Sequence, residues 1–200
     1  MNVQELVELD LSEPIWSRFF VVAPLVLIGT TESDGRADLA PKHMAFPLGW
    51  DNYFGFVCCP GHATYRNLQR EGCFGVSFPR PAQVLDTTLA ASPRCGPHHE
   101  KSALGALPTC TGTRLNVPLL EGAYLYLECE LDRIVDGFGP NSLVAGIIRE
   151  ARVDARALRR DEDDDHETIA RDPLLVYLQP GRFGVLRESH GYPFPRGFHR

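Results

Sequence analysis

The fold is decided by a stretch that begins Pro24-Leu25-Val26-Leu27-Ile28-Gly29-Thr30-Thr31 and continues as far as Phe78. Its first run is rich in branched apolar residues and ends at the turn signal Ser33-Asp34-Gly35, so it predicts a buried strand that enters a hairpin. A return strand starts at Ala37 and meets Pro41. Because proline cannot donate to a strand ladder, we expect the strand to break at Pro41 into a loop that begins Lys42-His43.

An aromatic strand and a helix follow this hairpin. The strand is predicted over residues 53–59, and the helix lies between a turn at Pro60-Gly61 and a stop at Gly72. Thr64 is the predicted N-cap, since threonine accepts hydrogen bonds from first-turn amides. A helix start has unpaired N–H groups and a partial positive charge, so this turn can hold a phosphate, with His62 and Thr64 adding contacts. An ordinary capped surface helix explains the same pattern.

A second motif lies late in the chain. It reads Pro173-Leu174-Leu175-Val176-Tyr177-Leu178-Gln179-Pro180-Gly181-Arg182-Phe183. The order of strand, Asp-Gly hairpin, Ala-Pro loop, aromatic strand, Thr-x-x-Asn helix and this closing motif resembles the flavin reductase-like FMN-binding split-barrel family, from about Pro24 to Leu186. The resemblance implies a mainly β fold with α additions, namely an antiparallel split β-barrel of six or seven strands.

The same resemblance implies a non-covalent FMN site. In that family a small-residue loop after the second strand lies against the flavin, and a polar turn before the helix receives the phosphate. Lys42 or His43 would stabilise negative charge on the reduced ring, and His43 is the catalytic candidate. The candidate FMN contacts are Pro41, Lys42, His43, Met44, Ala45, Cys58, Gly61, His62, Ala63, Thr64, Asn67 and Arg182. Arg66 is a weaker candidate, because its side chain should follow the helix flank.

The leading functional expectation is an NAD(P)H-dependent flavin reductase that works as a homodimer. Hydride would pass from NADH or NADPH to flavin N5, and the electrons would leave to free flavin, oxygen or a partner protein. One alternative is an FMN-binding electron carrier or sensor without nicotinamide activity. Another is a pyridoxamine-phosphate-oxidase-like protein, which the thin basic content disfavours. Serine hydrolase, P-loop and dinucleotide-binding glycine motifs are absent from the sequence.

Composition narrows the class of protein. The 200 residues, 44% of them hydrophobic, fit a single globular domain over residues 1–200, with a core at about 20–186, a variable insertion at 79–118 and a tail at 187–200. The net charge of -6 argues against nucleic-acid binding. No apolar run approaches the ~20 residues that cross a bilayer, and the N-terminus lacks a basic region followed by an apolar one. We therefore expect a cytoplasmic protein that does not bind membranes.

The rest of the chain predicts one long hairpin and two short helices. Residues 123–135 alternate in polarity and pair with residues 142–153 across a Gly-Phe-Gly-Pro turn, which places Glu128, Glu130 and Asp132 on the polar face. Within the insertion, residues 81–91 and 101–107 have helical spacing. In the family that the chain resembles, this insertion covers the flavin or the substrate mouth.

Metal binding is not expected. The six cysteines form no Cys-x-x-Cys pair, and we interpret them as free and mostly structural. The best metal-like cluster is the stretch Cys95-Gly96-Pro97-His98-His99-Glu100, which lacks a well-placed fourth ligand. The acidic run at 161–167 lacks the glycine and the spacing of a calcium loop, so a solvated surface explains it better.

Overall fold

The computed structural model describes residues 6–95, 101–160 and 165–197. In chain order the strands are β1 (Val21–Pro24), β2 (Val26–Thr31), β3 (Ala37–Lys42), β4 (Ala45–Pro47), β5 (Tyr53–Cys58), β6 (Cys73–Phe78), β7 (Thr109–Thr111), β8 (Pro118–Leu120), β9 (Leu125–Phe138), β10 (Asn141–Val153), β11 (Leu174–Gln179) and β12 (Arg182–Leu186). The α-helices are α1 (Ala63–Glu71), α2 (Val84–Ala90) and α3 (Asp165–Arg171), and short 3₁₀ turns lie at Ile15–Ser17, Pro81–Gln83 and Ser102–Ala106. None of the helices in the described ranges is long and apolar enough to span a membrane.

Seven of the strands form one antiparallel sheet in the order β3-β2-β6-β9-β10-β5-β4. A second sheet contains β1, β11 and β12, and β7 pairs with β8. The large sheet curls around an apolar core, with few helices on its outside. The predicted mainly β, antiparallel split barrel with α additions is confirmed.

The core of the curled sheet is apolar and tightly packed. Phe56 and Phe74 are fully buried, with ring centroids 5.3 Å apart and an edge-to-face angle of 74°. Gly146 on β10 permits this arrangement, because a Cβ atom there would lie 2.6 Å from the Phe74 ring. Burial of each such side chain stabilises the fold by about 1.5–3 kcal/mol. The barrel is therefore a firm support for the loops and the helix at its edge.

Helix α1 is tied to the sheet at several points. Leu68 is fully buried in the core, and Asn67 Nδ2 donates to Thr30 Oγ1 on β2 at 3.1 Å. Tyr65 donates its hydroxyl proton to Asp136 Oδ1 on β9 at 3.1 Å. The helix ends at Gly72, which has φ of 68° and adopts the predicted left-handed conformation.

The sequence predictions at Pro41 and Thr64 are wrong. Pro41 does not break β3, which runs through it to Lys42, because β3 is an edge strand and a missing N–H costs no ladder bond on its free side. Thr64 is not the N-cap, because the helix starts at Ala63 with His62 in the extended capping position. Thr64 instead lies in the first turn and is 2% exposed.

The predicted long hairpin is confirmed. Strand β9 pairs with β10 from Leu125, which lies opposite Val153, to Phe138, which lies opposite Asn141. Its polar face differs from the prediction at Glu128, which is 1% exposed. The Glu128 carboxylate accepts hydrogen bonds from three successive backbone N–H groups, those of Thr113, Arg114 and Leu115, at 2.7, 3.0 and 2.7 Å. Burial alone would raise the pKa of Glu128, but these amides outweigh it and lower the pKa. Glu128 therefore anchors the loop that follows β7.

The insertion contains α2, a 3₁₀ turn and the β7–β8 hairpin, in agreement with the two predicted helices. Its hairpin packs closely on β2, since a Cβ atom on Gly29 would lie 1.8 Å from the carbonyl oxygen of Pro118. Residues 96–100 of the metal-like cluster and residues 161–164 of the acidic run lie outside the described residues.

Candidate functional site

A cavity of about 450 Å³ lies along the free edge of β3. Strand β3, the start of α1 and the insertion each form one wall. The lining residues on β3 and α1 are Asp38, Ala40, Pro41, Lys42, Gly61, His62, Ala63, Thr64 and Arg66. Those from the insertion are Ala90, Ala91, Ser92, Pro93, Arg94 and Lys101. The volume falls within the range of about 300–1,000 Å³ that is usual for small-molecule sites.

The helix-start end of the cavity suits an anion. The first N–H groups of α1 have no acceptor within the helix, and the His62 side chain makes no capping hydrogen bond to them. Arg66 folds back over this turn and donates to the carbonyl of Gly61 at 2.8 Å. Lys42 approaches from β3, and among the described residues no carboxylate lies within 4 Å of Lys42 or Arg66. Positive charge at this end is thus uncompensated.

The pKa values of His43 and His62, which lie beside this end, are lowered in part by the same positive charge. Burial lowers the pKa of His62, and the charges of Lys42, Lys101 and Arg66 lower it further. Burial, followed by the charge of Lys42, also lowers the pKa of His43. Both imidazoles are therefore neutral near pH 7, and a bound dianion would raise their pKa values again.

Cys58 lies beneath the helix start rather than in the cavity. Its side chain is 1% exposed, and burial raises the pKa of the thiol, although the nearby Lys42 and the Tyr65 amide oppose this. The thiol stays protonated and packs as a small apolar group. Its role in the structure is to support Lys42 and the first turn of α1.

The opposite end of the cavity is crossed by three charged residues, Asp38, Arg94 and Lys101, which we call the clasp. The Asp38 side chain is 1% exposed, and its Oδ1 lies 3.0 Å from Lys101 Nζ and 3.1 Å from Arg94 Nη2. Neither Asp38 oxygen accepts a hydrogen bond of good geometry, so the carboxylate is held by charge alone. Lys101 Nζ also donates to the carbonyls of Leu39 at 2.9 Å and Ala90 at 3.1 Å. The clasp fixes the insertion to β3.

A second cavity, of about 310 Å³, lies beyond Arg94 and Lys101. Its other charged residues are compensated, since Arg36 pairs with Asp34 at 2.6 Å and Glu32 pairs with Arg94. It also lacks a helix start. The cavity beside α1 is therefore the better candidate for an anionic ligand.

Residues 18–185 match a family model described as a flavin reductase like domain. The chain belongs to this family. The match covers the barrel, the insertion and the closing motif, and it agrees with the resemblance found in the sequence. Family membership links the chain to flavin-related oxidoreductases.

Solved structures share the same fold at low sequence identity. A flavoredoxin from Methanosarcina acetivorans has a TM-score of 0.76 and 19% identity, covering 97% of this chain and 98% of that one. An FMN-binding protein from Thermus thermophilus has a TM-score of 0.71 and 22% identity, covering 96% and 99%. BorF, the flavin reductase component of a bacterial two-component tryptophan halogenase, has a TM-score of 0.66 and 21% identity, covering 88% and 96%.

The structure of this flavin reductase-like domain brings part of the predicted site together. The predicted residues that line the cavity are Pro41, Lys42, Gly61, His62, Ala63 and Thr64. Arg66, the weaker candidate, lines it as well. These residues come from the two connections that the sequence singled out, so the connections do meet around one space.

Other predicted contacts lie outside the cavity lining. His43 stacks on Tyr177 with ring centroids 4.5 Å apart, Met44 is exposed, and Ala45 is buried in the core. The side-chain amide of Asn67 is already hydrogen-bonded within the protein. Its Nδ2 donates to Thr30, and its Oδ1 accepts from Arg70 at 3.2 Å. Arg182 is exposed on β12, in the smaller sheet. In the sequence, His43 and Met44 directly follow Lys42, which lines the cavity.

The cavity wall that the insertion forms was not predicted from the sequence. Asp38, Arg94 and Lys101 gave no motif, because Arg94 and Lys101 are separated from β3 by more than fifty residues. One signal was present. Lys42 and Lys101 are the two lysines of the sequence, and both line this cavity.

Proposed function

We propose that the chain binds FMN in the cavity beside α1 and acts as an oxidoreductase that takes hydride from NADH or NADPH. The observation that carries this proposal is the meeting of the α1 start with Lys42, His62 and Arg66, next to the β3–β4 connection, in a member of the flavin reductase-like family. The size of the cavity and its uncompensated positive end support a mononucleotide ligand.

The first turn of α1 would hold the phosphate. The N–H groups of Ala63 and Thr64 are available for an anion, Arg66 adds positive charge, and His62 can donate a hydrogen bond. Thr64 lines the cavity, and within the described residues its hydroxyl takes part in no hydrogen bond. Asn67 would act indirectly, by fixing α1 to β2.

The β3–β4 connection, residues 42–45, would lie against the ring. Bound FMN would supply the hydride-accepting chemistry, which the protein itself lacks. Lys42 would stabilise negative charge on the ring through its ammonium group. His43, neutral because its pKa is lowered, can accept or donate one proton through a ring nitrogen while Tyr177 holds its ring by stacking.

We also propose a homodimer and a cytoplasmic location. Large apolar side chains on and before the smaller sheet are exposed, among them Phe20 at 69%, Val22 at 67% and Phe183 at 53%. A second copy would cover such surface.

The cytoplasmic location is supported by free thiols, which suit a reducing compartment and are carried by Cys58, Cys59, Cys73, Cys110 and Cys129. Electrons would leave to free flavin, oxygen or a partner protein.

The test is an absorption spectrum of purified protein reconstituted with FMN, followed by anaerobic addition of NADH or NADPH. We expect a flavin spectrum that bleaches with one of the two nicotinamides. A protein that binds FMN but is reduced only by an added reductase would instead be an electron carrier, the alternative suggested by the fold of flavoredoxin. A protein that takes up no FMN would contradict the proposal.

A further inference from the structure

The clasp lies beside the start of β3, and the β3–β4 connection, residues 42–45, follows the end of the same strand. Asp38 and Lys42 are four residues apart on β3, which is about 13 Å along a strand. Helix α1 runs antiparallel to β3, since Asn67 contacts Thr30, the register partner of Asp38, whereas the turn before the helix follows Cys58 beside Lys42. The helix start therefore lies at the Lys42 end of β3, and the helix runs from there toward the clasp at the Asp38 end.

The clasp crosses the cavity from wall to wall. Lys101 Nζ is bonded on one side to the Leu39 carbonyl at the edge of β3 and on the other side to the Ala90 carbonyl at the end of α2. Arg94 makes a second crossing, with ion pairs to Asp38 and to Glu32. A ligand that extended past the helix start would meet these two side chains.

The charges of the clasp are compensated, unlike those at the helix start. Arg94 and Lys101 are opposed by Glu32 and Asp38, so this end offers a second phosphate no net positive charge. The Lys101 ammonium is already engaged, since it donates to the carbonyls of Leu39 and Ala90 and forms an ion pair with Asp38. A second phosphate would also approach the buried Asp38 carboxylate. The cavity therefore provides for one phosphate.

We propose that the clasp makes the cavity selective for a flavin mononucleotide over a flavin dinucleotide, because it closes the path that the adenylate half of FAD would follow. This inference rests on the proposed function, since it requires that the cavity binds a flavin phosphate at the α1 start. Asp38 is a positioning residue in this account, because it holds Arg94 and Lys101 across the cavity.

The experiment compares dissociation constants of FMN and FAD by titration calorimetry. The wild type is measured beside the double variant Asp38→Asn/Lys101→Met, which removes one charge of each sign and so keeps the net charge. The matched control is Glu130→Gln/Arg149→Met, which removes an exposed ion pair of 2.7 Å on the long hairpin. Thermal unfolding without ligand establishes that each variant is folded.

We expect the wild type to bind FMN at least about tenfold more tightly than FAD, since FAD must break charge-assisted hydrogen bonds of Lys101 to enter. The FAD/FMN ratio of dissociation constants should fall about fivefold or more in the clasp variant. The control variant should keep the wild-type ratio. A merely structural role for Asp38 would weaken both ligands equally and leave the ratio unchanged.

Equal affinity of the wild type for FMN and FAD would overturn the inference and leave flavin binding intact. A wild-type preference for FMN that persists in the clasp variant would also overturn it. Absence of binding to either flavin would contradict the proposed function and this inference together. If the double variant does not unfold cooperatively, Arg94→Gln is measured in its place, with the same expected fall in the ratio.

Discussion

Asp38 and Glu128 are two carboxylates with the same burial and different surroundings. Each is 1% exposed. Glu128 accepts hydrogen bonds from three neighbouring backbone amides, whereas Asp38 is held by Arg94 and Lys101 without a hydrogen bond of good geometry. Backbone amides in a fixed loop cannot leave their acceptor singly, but long cationic side chains can rotate away. Glu128 therefore belongs to the scaffold, and Asp38 to an adjustable wall of the cavity.

The largest expected effect is on the scaffold side of this comparison. Glu128→Ala should lower the free energy of unfolding by about 4 kcal/mol, because three successive backbone amides lose the buried carboxylate that holds their loop. Urea denaturation measures the change. Glu130→Ala on the same strand, where the side chain is exposed, is the matched control and should change the value by less than about 0.5 kcal/mol. Equal losses in the two variants would remove the distinction.

A smaller effect is expected at the adjustable wall. Asp38→Asn should lower the free energy of unfolding by about 2 kcal/mol, less than for Glu128, because Lys101 and Arg94 are partly exposed and can turn toward water. A loss as large as that of Glu128→Ala would show that Asp38 belongs to the scaffold.

Thr64 allows binding to be separated from stability. Thr64→Val should weaken FMN binding by about 1–2 kcal/mol, or roughly tenfold, because a phosphate contact is lost. The free energy of unfolding should change little, since His62 and not Thr64 is the N-cap. Calorimetric titration and urea denaturation of the same preparation give both values. Unchanged FMN affinity in the folded variant would exclude Thr64 from the site.

The smallest expected effect is a pH dependence through His62. Its pKa is lowered in the unliganded protein, first by burial and then by Lys42, Lys101 and Arg66, so protonation costs stability as the pH falls below about 6.5. A bound phosphate would raise this pKa, and FMN binding would take up a proton. FMN affinity should therefore increase about threefold between pH 8 and pH 6 beyond the change seen in His62→Asn. Parallel pH profiles for the wild type and the variant would contradict this coupling.

Much of the fold could be predicted from local pattern. The hairpin before Pro41, the helix stop at Gly72 and the β9–β10 hairpin each follow from a run of adjacent residues. The same is true of Pro41 and Lys42 at the end of β3 and of residues 61–64 around the start of α1, which lie in two short stretches of sequence. Errors at Pro41 and Thr64 arose because an edge strand tolerates proline and because a helix can begin without a side-chain cap.

The clasp could not be predicted in this way. Lys101 reaches Asp38 and Leu39 only after the chain has passed through α1, β6 and α2. Nor could the burial of Glu128, because the loop that covers it precedes β9 in sequence and shows no pattern of its own. Contacts between distant segments depend on the folded sheet, and no local periodicity reports them.

The outermost position of β3 has a consequence for behaviour in concentrated solution. An open strand edge is a template on which another chain can extend the sheet and aggregate. Here Pro41 offers no N–H, and the Leu39 carbonyl is already taken by Lys101. The other outermost strand, β4, carries Pro47. The residues that form the cavity wall thus also keep this margin of the barrel from recruiting neighbouring molecules, and loosening them would favour fibrous or amorphous deposits.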